Sequence, residues 1–145
     1  MRWYFASREK YEDKIKDLTT LLSKFNEEYS FEWTPLDQIK VYEDNAEIYE
    51  GNANKILRAM ENSDIFVMIT DEGGTAEIFR GLGLALSRKK DKDIPRIYLL
   101  GKYNQRSLMN SQPSINMVSS IEDVLEEECP EILTSAEFNS PKFFD

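Results

Sequence analysis

Apolar residues along the chain form short continuous runs that alternate with segments of helical spacing. The runs predict strands at residues 2–6 (RWYFA), 64–70 (DIFVMIT) and 95–101 (PRIYLLG), with shorter ones at 30–35 (SFEWTP) and 115–119 (INMVS). The run at 64–70 is apolar without alternation, which is typical of a strand covered on both faces of a parallel sheet. We therefore expect a parallel sheet of about five strands.

The segments between the runs carry apolar residues every three or four positions, which predicts amphipathic helices. The first helix follows Ser7, a residue that can cap it, and extends to about residue 28. Others are predicted at 52–64, 75–89 and 120–128. Strands that alternate with helices are typical of a doubly wound α/β domain. We assign this domain to residues 1–129 and expect 130–145 to form a tail that packs on it or on an oligomer partner.

The composition excludes several kinds of chemistry. The net charge of −9 disfavours nucleic-acid polymers as ligands, and the absence of histidine excludes serine–histidine and cysteine–histidine pairs. With one cysteine, Cys129, an ordinary zinc site is not expected, and we predict no metal or other cofactor. The single thiol favours a reducing, cytoplasmic location. No apolar run is long enough to cross a bilayer or to act as a secretory signal, so no membrane association is expected.

The turn between the third strand and the following helix concentrates polar residues. It contains Asp71, Glu72, Gly73, Gly74 and Thr75. A structural interpretation accounts for them all. Glycine permits a sharp turn, threonine can cap a helix, and the carboxylate of Glu77 in the first helical turn is stabilised by the helix dipole. A functional interpretation starts from the same geometry. In parallel sheets ligands bind at the carboxyl ends of the strands, and carboxylates there can stabilise an oxocarbenium-like transition state.

Four motifs resemble, in order and spacing, the nucleoside 2-deoxyribosyltransferase family and its relatives, the nucleoside-monophosphate N-glycosidases. They are WYFAS at 3–7, ENSDIFVMITDEGGT at 61–75, GLGLAL at 81–86 and PRIYLLG at 95–101. The similarity covers about residues 2–120. It implies a flavodoxin-like, Rossmann-like three-layer sandwich, a homo-oligomer, and cleavage or transfer of an N-glycosidic bond through a glutamate nucleophile.

The resemblance assigns the nucleophile in two ways. Aligned on Gly74 and Thr75, the nearest acidic residue is Glu77, one position short of the commonest spacing. Asp71 or Glu72 would then orient it or act as the acid. Aligned on GLGLAL, the glutamate of the family falls on Gly81, which cannot be a nucleophile. The second alignment places the following helix and strand better.

Substrate contacts are also implied by the resemblance. Tyr4 would lie near the sugar, and Ser7 with Arg8 would hold a 5′-phosphate. The remaining positions lie in the turn, in the helix that follows it and in the loop after the fourth strand: Gly73, Gly74, Thr75, Gly81 and Asn104. Three functions stay open: an enzyme acting on nucleosides or nucleotides, either as a transferase or as a hydrolase; a degenerate nucleotide-binding module; and an interaction protein that uses an exposed Leu84.

Overall fold

The fold is described from a computed structural model that covers residues 1–30, 51, 54, 57–70, 76–101 and 112–138, with backbone alone at 9, 30 and 76–80. Five strands form one sheet, all neighbouring pairs being parallel, in the order β2-β1-β3-β4-β5. They are β1 Arg2–Ala6, β2 Glu28–Ser30, β3 Ile65–Ile69, β4 Arg96–Leu100 and β5 Ile115–Val118. The predicted parallel sheet is therefore confirmed.

Helices cover both faces of the sheet. They are α1 Glu12–Lys24, α2 at 57–61, α3 Ala76–Lys92 and α4 Ile121–Glu128, and residues 51 and 54 are helical as well. Within the described part of the chain, no helix is both long and apolar enough to cross a membrane.

The apolar side chains of the strands divide between two cores by alternation. Trp3 and Phe5 of β1 pack with α1 and α4, whereas Tyr4 and Ala6 pack with α2 and α3. The same alternation places Ile65, Val67 and Ile69 in the first core and Phe66 and Met68 in the second. A sheet with an apolar core on each face is the three-layer sandwich that the sequence predicted.

The first helix differs from its prediction at both ends. Its start is preceded by a 3-10 turn at Glu9–Tyr11, so Tyr11 is the N-cap residue and Ser7 does not cap α1. It ends at Lys24 because Asn26 adopts a left-handed conformation with φ of 61°. The N–H groups of Asn26 and Glu27 then bond back to the carbonyls of Ser23 and Leu22, a Schellman motif. The second strand consequently begins at Glu28, earlier than predicted, and residues 31–35 of its predicted span lie outside the described residues.

The chain after β5 packs back on the first core. Ser120 caps α4 in a capping box with Asp123. A 3-10 turn at Pro130–Thr134 follows, with Ile132 fully buried and Phe138 packed against the same core. The boundary at residue 129 stays a prediction, and residues 139–145 lie outside the described residues.

A buried carboxylate joins β4 to α4 at the amino end of the sheet. Glu128 has a side chain only 5% exposed, and its two oxygens accept bonds from Nε and Nη2 of Arg96 at 2.5 Å each. The Tyr98 hydroxyl donates to the same carboxylate at 2.7 Å. Burial, followed by these acidic partners, raises the pKa of Tyr98 well above its usual value. The charge is therefore paired and hydrogen-bonded, as burial requires.

Candidate functional site

The carboxyl ends of β1, β3 and β4 meet at one edge of the sheet, where the sequence placed the binding loops. These strands end at Ala6, Ile69 and Leu100. Ser7 and Arg8 follow β1 directly, and both are half-buried. The Ser7 hydroxyl donates to the carbonyl of Arg8 at 3.2 Å. The structure thus places both residues at the expected edge.

A close approach of backbones shapes this edge beside β4. The N–H of Thr70 and its hydroxyl both donate to the carbonyl of Leu100, at 2.8 and 3.1 Å. Gly101 follows with φ of +134°, and a Cβ there would lie 2.6 Å from Thr70 Oγ1 and 2.7 Å from its carbonyl oxygen. Because only glycine fits, this residue fixes how the chain leaves β4 toward Asn104.

Tyr4 places a buried hydroxyl on the α2–α3 side of the sheet. Its residue is 6% exposed, and its ring stacks on Phe66 with centroids 5.7 Å apart and planes 7° from parallel. Burial raises the pKa of Tyr4 to about 12. Among the residues that the structure describes, its hydroxyl has no hydrogen-bond partner. Buried hydroxyls are normally bonded, so an unpartnered one calls for an explanation such as a ligand.

Gly81 lies close to Tyr4 through Phe66. It is buried in α3, and a Cβ added to it would be 3.7 Å from Cε2 of Phe66 and 3.8 Å from Cε of Met60. These are ordinary contact distances, so a side chain can begin there without a clash. The sequence did not indicate that Phe66 links Tyr4 and Gly81, because its apolar run marks only a buried strand. The contact follows from the register that pairs Tyr4 with Phe66.

The carboxylates of the candidate site are less fully described. Glu77 is the second residue of α3, four positions before Gly81, so its backbone is about 6 Å nearer the helix start. Its side chain lies outside the described residues. So do five residues of the predicted turn and the residue on the loop after β4: Asp71, Glu72, Gly73, Gly74, Thr75 and Asn104.

The described residues also bear on metal binding and on thiol chemistry. In the described ranges, no three histidine, cysteine, aspartate or glutamate residues are grouped as metal ligands would be. Cys129 is buried and follows α4 at the opposite edge of the sheet. Its pKa is raised to about 11, mainly by burial and then by its contact with Glu131. The thiol is therefore protonated at neutral pH and is a poor nucleophile.

Comparison with known proteins gives one structural likeness. No protein-family model matches the chain, and no curated protein matches it. The chain is similar to a solved structure of the CMP N-glycosidase BcmB from Clostridium botulinum, with a TM-score of 0.55. The two are 16% identical in sequence, over 88% of this chain and 97% of that chain. At this identity the likeness establishes a shared fold, the flavodoxin-like α/β sandwich with five parallel strands.

Proposed function

We propose that this protein binds a nucleoside or nucleotide at the carboxyl edge of its sheet and cleaves or transfers its N-glycosidic bond. The observation that carries the proposal is the buried hydroxyl of Tyr4, which has no hydrogen-bond partner among the described residues and whose ring stacks on Phe66, the residue that Gly81 faces. A ligand or a carboxylate that accepts from Tyr4 would satisfy this group. The fold shared with a CMP N-glycosidase and the four sequence motifs support the same class of substrate.

In the proposed mechanism, Glu77 attacks the anomeric carbon of the sugar. A bond forms between its carboxylate oxygen and C1′ while the C1′–N bond breaks, and the electron pair leaves with the base. Asp71 or Glu72 supplies the proton that the base takes up. Water in hydrolysis, or a second base in transfer, then bonds to C1′ while the bond from C1′ to Glu77 breaks and restores its carboxylate. The proton of the attacking group returns to Asp71 or Glu72.

The remaining predicted residues hold the substrate in this proposal. Ser7 and Arg8 bind a 5′-phosphate, since a guanidinium and a hydroxyl together suit an anion. The glycine turn, Gly73 and Gly74 with Thr75, offers backbone N–H groups at the start of α3. Asn104, which follows β4 in the sequence, is assigned to the same substrate in this proposal.

Incubation with nucleosides and their monophosphates, in ribo and deoxy forms, tests the enzyme. Chromatography should detect free base, and Glu77→Gln should lower its release by several powers of ten. Asp91→Asn serves as the matched control, because Asp91 is exposed near the other end of the same helix. If no substrate releases base even at enzyme concentrations equal to the substrate, the proposed activity is wrong.

Gly81 favours a second candidate, a nucleotide-binding module without catalysis. In the alignment on GLGLAL this glycine occupies the position of the nucleophile, and it faces Phe66 beside Tyr4. A thermal-shift screen separates the candidates, because a ligand at a hundred times its dissociation constant stabilises by about 2.7 kcal/mol. Binding without turnover, followed by base release from Gly81→Glu but not Gly81→Gln, would favour the module.

A homo-oligomer in the cytoplasm also belongs to the proposal. Leu84 of α3 is 41% exposed, whereas Leu82 on the same helix is fully buried. An exposed leucine can lie at a contact between copies, although single surface leucines are common. Sedimentation of the wild type and of Leu84→Glu tests this contact, and equal masses for both would remove it.

A further inference from the structure

The end of α2 is held by a side chain that is distant in sequence. The carbonyl of Met60 accepts from the Ser63 hydroxyl at 2.8 Å and from Nη1 of Arg88 at 2.9 Å. The same nitrogen of Arg88 donates to the carbonyl of Ser63. Carbonyls at a helix end lack partners within the helix, and a cation is favoured there by the helix dipole. The Met60 carbonyl also accepts the N–H of Ser63 at 3.2 Å, so Arg88 adds a charged donor to this helix end and links it to α3.

Two small residues of α3 bring α2 within reach of this guanidinium. Gly81, Ala85 and Arg88 are spaced by four and three positions, so they share one face of the helix. Gly81 lies against Met60, and Ala85 is fully buried in the same core. With only a hydrogen and a methyl group on α3 at this seam, α2 can pack closely on α3, and Arg88 bonds to its end.

Two helical residues, 51 and 54, precede α2 in the chain. A helix that leads into a parallel strand runs antiparallel to it, so residues 51 and 54 lie nearer the carboxyl edge than residues 57–61 do. We propose that Arg88 is a positioning residue, which fixes α2 against α3 and so holds residues 51 and 54 at the side of the carboxyl edge. The consequence for ligand binding rests on the proposed function, whereas the clamp itself does not.

Two variants and a control test the clamp. Arg88→Met removes the donors and keeps a long side chain, and Arg88→Lys keeps a cation. Lys90→Met removes an exposed cation from the same helix end. Hydrogen exchange measured by mass spectrometry should show residues 57–63 exchanging at least about tenfold faster in Arg88→Met, with α1 and α4 unchanged. Arg88→Lys should recover part of the protection, and Lys90→Met should match the wild type.

Binding of cytidine monophosphate provides the second measurement. Arg88→Met should weaken binding by roughly three- to tenfold at a temperature well below unfolding, with partial recovery in Arg88→Lys. Unchanged exchange at 57–63 would overturn the clamp. Faster exchange with an unchanged dissociation constant would overturn the positioning role. If the wild type binds neither cytidine monophosphate nor any ligand of the thermal-shift screen, the proposed function fails, and the exchange data alone decide the clamp.

Discussion

Two buried tyrosines allow one chemical change to be made in two opposite environments. Tyr4 and Tyr98 are 6% and 1% exposed, and both lie in the middle of parallel strands. The Tyr98 hydroxyl donates to Glu128 at 2.7 Å, whereas that of Tyr4 has no partner among the described residues. Replacing each by phenylalanine removes a single oxygen and leaves the ring in place.

The two variants should change stability with different signs. Loss of a hydrogen bond to a charged group costs about 2 kcal/mol, so Tyr98→Phe should destabilise the protein by about that amount. Removing an unbonded buried hydroxyl removes a desolvation penalty, so Tyr4→Phe should be neutral or stabilise by up to about 1 kcal/mol. The variants should therefore differ by about 2–3 kcal/mol, or by roughly 6–9 °C in melting temperature for a chain of this size.

Urea unfolding followed by circular dichroism measures both changes. Equal slopes with denaturant would show that the variants share an unfolded state, so that the midpoints report stability. Nucleotide binding adds the functional arm, in which Tyr4→Phe should bind more weakly and Tyr98→Phe should bind as the wild type does. A loss of 1.5 kcal/mol or more in Tyr4→Phe without ligand would refute the reasoning, because its hydroxyl would then have a protein partner.

Three further predictions concern backbone fit, a buried charge and pH. Gly101→Ala should lower the free energy of unfolding by at least about 2 kcal/mol, because its Cβ would clash with Thr70 and its backbone would be strained. Gly83→Ala should raise it by about 0.5–1 kcal/mol, because a Cβ there meets open space in the middle of a helix. Denaturation midpoints that shift in the same direction in both variants would contradict this. Arg96→Met should destabilise by more than about 1 kcal/mol by leaving Glu128 buried without its cation. In a Tyr98→Phe background, where no hydroxyl loses its acceptor, adding Glu128→Leu should recover this loss in a double-mutant cycle. Stability from the raised pKa of Tyr4 is complete below pH 10 and lost as the pH rises toward 12, since the unfolded chain deprotonates first. The free energy of unfolding should therefore fall less between pH 9 and pH 11 in Tyr4→Phe than in the wild type. An equal fall in both proteins would contradict this prediction.

The sheet was predictable because its signal is local. The apolar runs around Phe66 and Tyr98 give strands within one or two residues of their observed bounds. The errors fall at the ends of α1, where the left-handed conformation of Asn26 stops a helix whose apolar spacing continues to Phe25. Helix ends are compatible with many residue types, so the spacing of apolar residues does not by itself mark where a helix stops.

For the candidate site, the sequence placed Ser7 and Arg8 after β1 at the carboxyl edge of the sheet, where the structure has them, and it singled out Tyr4 and Gly81 as candidates. It gave no sign that Phe66 lies against both of them, or that Arg88 reaches the end of α2. These contacts join residues that are 15 or more positions apart in the sequence, and apolar or charged residues of these types occur in many surroundings.

The sequence by itself determined the order of strands and helices, the two-sided core and the exclusion of histidine chemistry, because periodicity and composition act residue by residue. The tertiary structure alone decided which groups meet: Glu128 with Arg96, Tyr4 with Phe66, and Gly101 with Thr70. Such meetings depend on strand register and on helix packing, which arise from the free energy of the whole core and not from any local pattern.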